Sequence, residues 1–347
     1  MTLLWAGLLL GCGFGVAARL GRFCLLRGLR QAAGLDRGEP RGSAPALQAF
    51  ALALAVALLA SQGLQLAGWV DLGQAQVARS QLSIPGVLIG GALFGMGMVL
   101  ANSCGARALV LLAGGNLRSL VTIIFLALGA QASMTGVLAP VRQWLQSWLS
   151  LSLPQATVQQ SLQASGVAAA TAFALAALLP ALLLLAYALR RPALRQSPVQ
   201  WLSALAIGGL VALGWWITAH VQPDPFDPAK LSSLSFVGPL AESLLYLQLA
   251  VGRDFSLGPA VTLGVLIGAA TAAQLTRSAR WEGFEQPSRL AACALGGLLM
   301  GFGGALAAGC SIGQGLSGLS TLAYASLPAM AGILLGSWAA IQFSPRA

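Results

Sequence analysis

Residues 290–345 carry no charged side chain, a run of 56 positions. No soluble surface can be built from such a stretch, and a hydrocarbon core of about 30 Å takes only about 20 helical residues to cross. The run therefore holds more than one span. Its glycine-rich middle, Gly309-Cys310-Ser311-Ile312-Gly313-Gln314-Gly315, is not expected to form a continuous helix. Irregular backbone at membrane depth is tolerated only where it is buried in protein or lines a cavity. A break of this kind marks a binding site.

The remainder of the 347 residues has the same character. Hydrophobic residues make up 57% and charged residues 8%, against about 25% charged in a soluble domain. Nine segments qualify as spans: 2–19, 45–67, 86–101, 119–139, 166–189, 200–219, 257–275, 290–308 and 326–343. The period-two alternation of a membrane barrel is absent, so the chain reads as an all-α polytopic membrane protein. The first apolar stretch precedes its positive charges, the reverse of a cleaved signal peptide, and reads as a first span. The net charge of +10 does not point to nucleic acid, because the basic residues are scattered at span ends. With the N-terminus outside, the inner loops collect fifteen of the 19 basic residues, leaving Arg79, Arg142, Lys230 and Arg253 outside. The positive-inside rule fixes that orientation, with the C-terminus cytoplasmic. Segments 140–165 and 220–256 then become outer linkers, the second holding a short helix near 240–249.

The most informative feature is an internal repeat. Gly91-x3-Gly95-x8-Cys104 recurs as Gly297-x3-Gly301-x8-Cys310, an offset of 206 residues, and eight of the fifteen positions from 90 to 104 are identical. A third copy is Gly11-x3-Gly15-x8-Cys24. Glycine-x3-glycine alone is ordinary helix packing; a cysteine nine residues after the second glycine, three times over, is not. The third span runs inward and its offset partner, the eighth, outward, so the two copies have opposite orientation. Such inverted repeats typify transporters, with the substrate site where broken segments meet. The chain divides into a first half, 1–190, with motifs at 11–24 and 90–120, and an inverted second half, 199–345, with its motif at 296–322. The two form a single integrated membrane domain of re-entrant, broken-helix loops.

The cysteines define the candidate chemistry. Cys12 and Cys293 read as small core hydrophobes, whereas Cys24, Cys104 and Cys310 stand at the repeat position. Three uses compete. A disulfide relay wants a CxxC pair, which is missing. Soft-metal transport wants added Met, His or carboxylate ligands, and the one histidine, His220, lies at a span end. Relay of a sulfur-bearing anion needs thiols that remain protonated, since a neutral S–H donates weakly to soft sulfur and lets the anion leave. Helix starts near Asn116 and Ser317 and the charges of Arg107 and Arg118 supply positive field. Glu242, in an apolar run, is a further candidate. No cofactor motif, nucleotide motif or nucleophile–base set appears, so no enzyme is expected.

At these residues the chain resembles the YeeE/YedE sulfur-transport family of bacterial inner-membrane proteins. The stretches that carry the likeness are FGMGMVLANSCGARALVLLAGGNLRSLV from Phe94, GGLLMGFGGALAAGCSIGQGLSGLSTLA from Gly296, and GFGVAARLGRFC ending at Cys24. The resemblance implies thiosulfate, or a related sulfur or selenium anion, as substrate. It implies a path in which Cys310, Cys104 and Cys24 relay the anion inward through S–H···S contacts. Asn102, Gly105, Asn116, Arg118, Ser311 and Gln314 complete the expected path. A cytoplasmic TusA-like sulfur carrier is an implied partner, with the basic 19–41 loop as its docking surface.

Overall fold

The computed structural model describes residues 2–36, 43–190, 192–221, 230–283 and 286–343. Arg37, Arg41, Arg191, Arg346 and the proline-rich stretch 223–228 lie outside them. The helices are α1 (Leu3–Leu20), α2 (Leu25–Ala32), α3 (Pro45–Leu66), α4 (Ile84–Leu100), α5 (Gly105–Ala113), α6 (Leu117–Met134), α7 (Ala139–Ser147) and α8 (Val158–Ala164). Then come α9 (Ala169–Phe173), a π turn, α10 (Leu179–Leu189), α11 (Pro192–Arg195), α12 (Pro198–His220), α13 (Val237–Leu249), α14 (Leu257–Leu275), α15 (Pro287–Leu306) and α16 (Ser326–Phe343). Strands β1 (Gln81–Ser83) and β2 (Ser150–Ser152) make one small antiparallel pair. Among the described residues nine helical stretches are long and apolar enough to cross a membrane, and each covers one of the expected spans. Prolines open α3, α12 and α15, where a first-turn N–H has no intrahelical partner to lose.

The core is built by glycines that let helices touch at backbone distance. A Cβ on Gly97 would lie 2.5 Å from the Gly296 carbonyl oxygen, and one on Gly296 would lie 2.6 Å from that of Gly97. Gly90 and Gly303 oppose each other in the same way, at 2.8 and 2.6 Å. The order of these contacts reverses along the two chains, so α4 and α15 are antiparallel. They are also the two long copies of the repeat, so the motif packs on its own inverted image. Gly91 and Gly95 meanwhile back onto α16, and their counterparts Gly297 and Gly301 onto α6. The fold is an all-α bundle in which the two long copies of the repeat pack antiparallel.

All three motif copies end alike. The last turn is closed by Gly21, Ala101 and Ala307 donating to the carbonyls of Ala17, Gly97 and Gly303. Next comes one left-handed residue, Arg22 (φ 49°), Asn102 (φ 55°) or Ala308 (φ 57°), two positions before each cysteine. None of the three is glycine, so each carries a cost that the surrounding packing must hold in place.

Of the two segments expected as outer linkers, the second departs from expectation. Residues 140–165 form α7, β2 and α8, and α7 buries no residue but presents Trp144 against Trp148 at 4.5 Å, an arrangement suited to an interface. The segment 230–256 is not simply a surface linker. Leu234 and Phe236 are buried, Ser317 donates to the Leu234 carbonyl at 2.7 Å, and the Phe236 ring meets Phe14 at 4.9 Å. This strap descends into the core before α13 begins. The middle of the uncharged run is likewise more helical than its glycines suggest, because Gly313–Gly318 makes a π turn.

Candidate functional site

The repeated ends bring two cysteines together. Cys24 is the N-cap of α2 and Cys104 the N-cap of α5. Both are buried, and both line one cavity. Each sulfur lies before the first turn of its short helix, near the N–H of the residue three positions on, Arg27 or Arg107, where the unpaired amides give a positive field. The two thiols share a cavity of about 10 Å³ with Arg107 and Ser311, walled by Phe14, Phe23 and Ile312. That volume holds about one water. A sulfur oxyanion needs the walls to move.

Cys310 shares the motif but not the cavity. It is buried, and its sulfur accepts a hydrogen bond from the Gly313 N–H at 3.2 Å, which caps the π turn. Gln314 braces the same break: its amide nitrogen donates to the Ala307 and Ala308 carbonyls at 2.9 and 3.1 Å, and its oxygen accepts from Ser326 at 2.7 Å. Beside the same break, at Ala308, lies a second cavity of about 120 Å³, lined by Arg79, Gln81, Ser83, Gln146, Ala308 and Ala325. Arg142 donates to Gln146 at 2.7 Å, and Gln146 in turn to the Leu306 carbonyl at 3.3 Å. Partial burial, then the nearby Arg142 charge, lower the Arg79 pKa. Arg79 thus lines this space, with Arg142 behind it on Gln146.

The other expected path residues are dispersed. Asn102 is exposed at the first break and accepts a hydrogen bond from Arg30 at 2.5 Å. Gly105 opens α5 against Leu126. Asn116 caps α6 and bonds to Glu282, while Arg118 donates to the Gly283 carbonyl at 3.1 Å. Both serve a staple in which residues 114–117 pair with 280–283 through Arg280 N–H to Gly114 and Glu282 N–H to Gly115. Glu242 accepts from Ser256 at 3.3 Å and from the Gly258 N–H, so its carboxylate caps α14. Burial raises its pKa against those two bonds and the charges of Arg253 and Lys230. Among the described residues no three His, Cys, Asp or Glu side chains gather as metal ligands.

Sequence reasoning did not find Phe14, Phe23 and Ile312, because an apolar residue inside an apolar span carries no distinguishing signal. The buried strap at 231–236 did carry one. Its serines alternate with leucine and phenylalanine, and Ser233 donates to the Val211 carbonyl at 2.6 Å.

A bundle of apolar helices enclosing buried thiols at two helix starts defines a polytopic membrane protein. Residues 20–339 match the family model described as Sulphur transport, and the chain belongs to that family. It is 25% identical to the Thiosulfate transporter TsuA of Spirochaeta thermophila over 342 residues, 97% of each chain. It is 22% identical to the Thiosulfate transporter TsuA of Escherichia coli K12, over 98% of this chain and 94% of the relative.

Proposed function

We propose that this protein imports thiosulfate, or a closely similar sulfur oxyanion, across the bacterial inner membrane, passing it from thiol to thiol. The observation that carries this reading is that Cys24 and Cys104, each at a helix N-terminus, line one cavity with Arg107 and Ser311. The terminal sulfur of thiosulfate is large and soft, so neutral thiols hold it weakly enough to release it. Amide termini and Arg107 offset the anion's charge. The N-terminus lies outside, by the distribution of basic residues. Anions then enter from the Arg79 and Arg142 side, cross the partition at Cys310 and leave past Cys24. A TusA-like sulfur carrier receives them at the cytoplasmic face.

Radiolabelled thiosulfate uptake into proteoliposomes tests the proposal, with sulfate and selenite as competitors. Wild-type uptake that resists sulfate and disappears in C104A and C310A supports it. Uptake unchanged in both variants reduces those cysteines to packing. Dominant competition by selenite moves the substrate to a selenium anion. A second reading rests on the same pair: two thiols on one cavity can give two electrons and two protons to a disulfide oxidant and form a bond. Trapping a disulfide or persulfide at Cys24–Cys104 during turnover favours that redox reading over hydrogen-bonded passage.

A further inference from the structure

Around the second break nearly every buried hydroxyl is spoken for. Ser317 donates to Leu234, Ser320 to Ser317, Thr321 to Gly318 and Ser326 to Gln314. Ser311 is the exception. It is 1% exposed, its hydroxyl has no hydrogen-bond partner among the described residues, and it lines the cavity that holds Cys24, Cys104 and Arg107. Buried polar groups are nearly always paired, and an unpaired one calls for a reason.

We infer that Ser311 is the donor for the oxygen end of the anion, and that it makes the chamber selective for molecules carrying both a soft sulfur and oxygen. The inference rests on the proposed substrate class. The cavity has two chemically distinct faces. Cys24 and Cys104 offer weak, soft S–H groups, whereas Ser311 offers a hard O–H that pairs best with oxygen. An ion with sulfur at one end and oxygens at the other satisfies both faces at once. An ion with only one kind of end leaves a face unpaired, and a site built around a hydroxyl loses affinity for ligands that cannot meet it. Ser311 also follows Cys310 in the chain, so an anion leaving Cys310 meets the hydroxyl as its sulfur turns toward Cys104.

The test measures equilibrium binding by calorimetry on the purified full chain, for wild type, Ser311→Ala and Ser311→Thr, beside thiosulfate uptake in proteoliposomes. Hydrosulfide is the second probe, a soft sulfur anion with neither an oxygen nor a nitrogen end. The native hydroxyl has no partner to lose among the described residues, so Ser311→Ala should fold like the wild type. The expected result is a loss of thiosulfate affinity of about tenfold or more, the scale of one hydrogen bond to a charged group. Hydrosulfide affinity should stay within about twofold, and Ser311→Thr should recover most of the thiosulfate affinity. Equal thiosulfate affinity in wild type and Ser311→Ala overturns the inference, as does a parallel loss for both anions or wild-type protein that binds no thiosulfate. Wild-type binding without uptake overturns the transport reading alone.

Discussion

The two long copies of the repeat begin identically and finish differently. Through Asn102 and Ala308 they share glycines, a closing turn and a left-handed residue. After that, Cys104 leads into the nine-residue helix α5 with Asn102 exposed beside it. Cys310 leads into a fully buried π turn, held by Gln314 and Ser326. One break is exposed and the other buried, and on the proposed function we read the first as a mouth and the second as a seal. The difference follows from where the orphan carbonyls of the preceding helix go. Those of α15 are buried and need the Gln314 side chain, whereas the end of α4 lies beside an exposed residue. A duplicated backbone device has been given opposite duties by three or four side chains.

That contrast breaks if the two cysteines respond alike. Cys104→Ser should cut thiosulfate uptake at least about 100-fold, about 2.7 kcal/mol, because a harder hydroxyl no longer matches the Cys24 thiol or soft sulfur. Cys310→Ser keeps an acceptor for the Gly313 N–H and should lose only about tenfold. Equal losses in the same proteoliposome assay would show that position in the partition does not matter.

Gln314 sharpens the contrast from the structural side. Replacing it with Leu leaves the Ala307 and Ala308 carbonyls and the Ser326 hydroxyl unpaired in a buried site. The expected cost is about 2–4 kcal/mol of stability, from about 1–3 per abandoned group with partial relaxation. It should be seen as a lower melting temperature of the detergent-solubilised protein. Asn102→Ala should shift it little.

Most of this architecture was legible in the chain, for reasons that apply to particular residues. The nine helices follow from uncharged length, which water and lipid sort without help from tertiary contacts. The opposite orientation of α4 and α15 was legible from the repeat and the span count, but their backbone approach at Gly97 and Gly296 was not, because a repeated glycine does not say which helix it faces. Cys24, Cys104, Arg107 and Ser311 were named as candidates and lie on one cavity. Cys310 shares their motif but not that cavity, and nothing in its motif distinguishes it from Cys104. What decides is Gln314 folding back onto carbonyls six and seven residues earlier, a tertiary choice with no periodic signature. Asn116 and Arg118 looked like field-bearing helix-start residues and proved to hold two loops together, because an N-cap says where a helix starts and not what lies before it.

The shared glycine contact predicts symmetry where the breaks predict asymmetry. Gly97→Val and Gly296→Val each push a branched side chain into the opposite backbone. Each should cost about 1–3 kcal/mol by overpacking, and the two losses should agree within about 0.5 kcal/mol, the usual limit for telling independent sites apart. Thermal unfolding of the two variants side by side makes the comparison. A large inequality would mean that the two halves do not bear on each other as equals.

The smallest effect concerns the mouth. Arg30, on α2, donates to Asn102 at the first break, which ties the segment after Cys24 to the segment before Cys104. The bond lies toward solvent, so water can replace it, and a double-mutant cycle with Arg30→Ala and Asn102→Ala should give a coupling of only about 0.5–1 kcal/mol. A value that small means the two thiol-bearing segments can part without breaking buried structure, as widening a cavity of about 10 Å³ for an anion requires. A coupling of about 3 kcal/mol, the range of buried charged pairs, would make the first break a second seal. Passage would then need both ends of the chamber to open against buried bonds, and the division of labour between the two copies of the repeat would be lost.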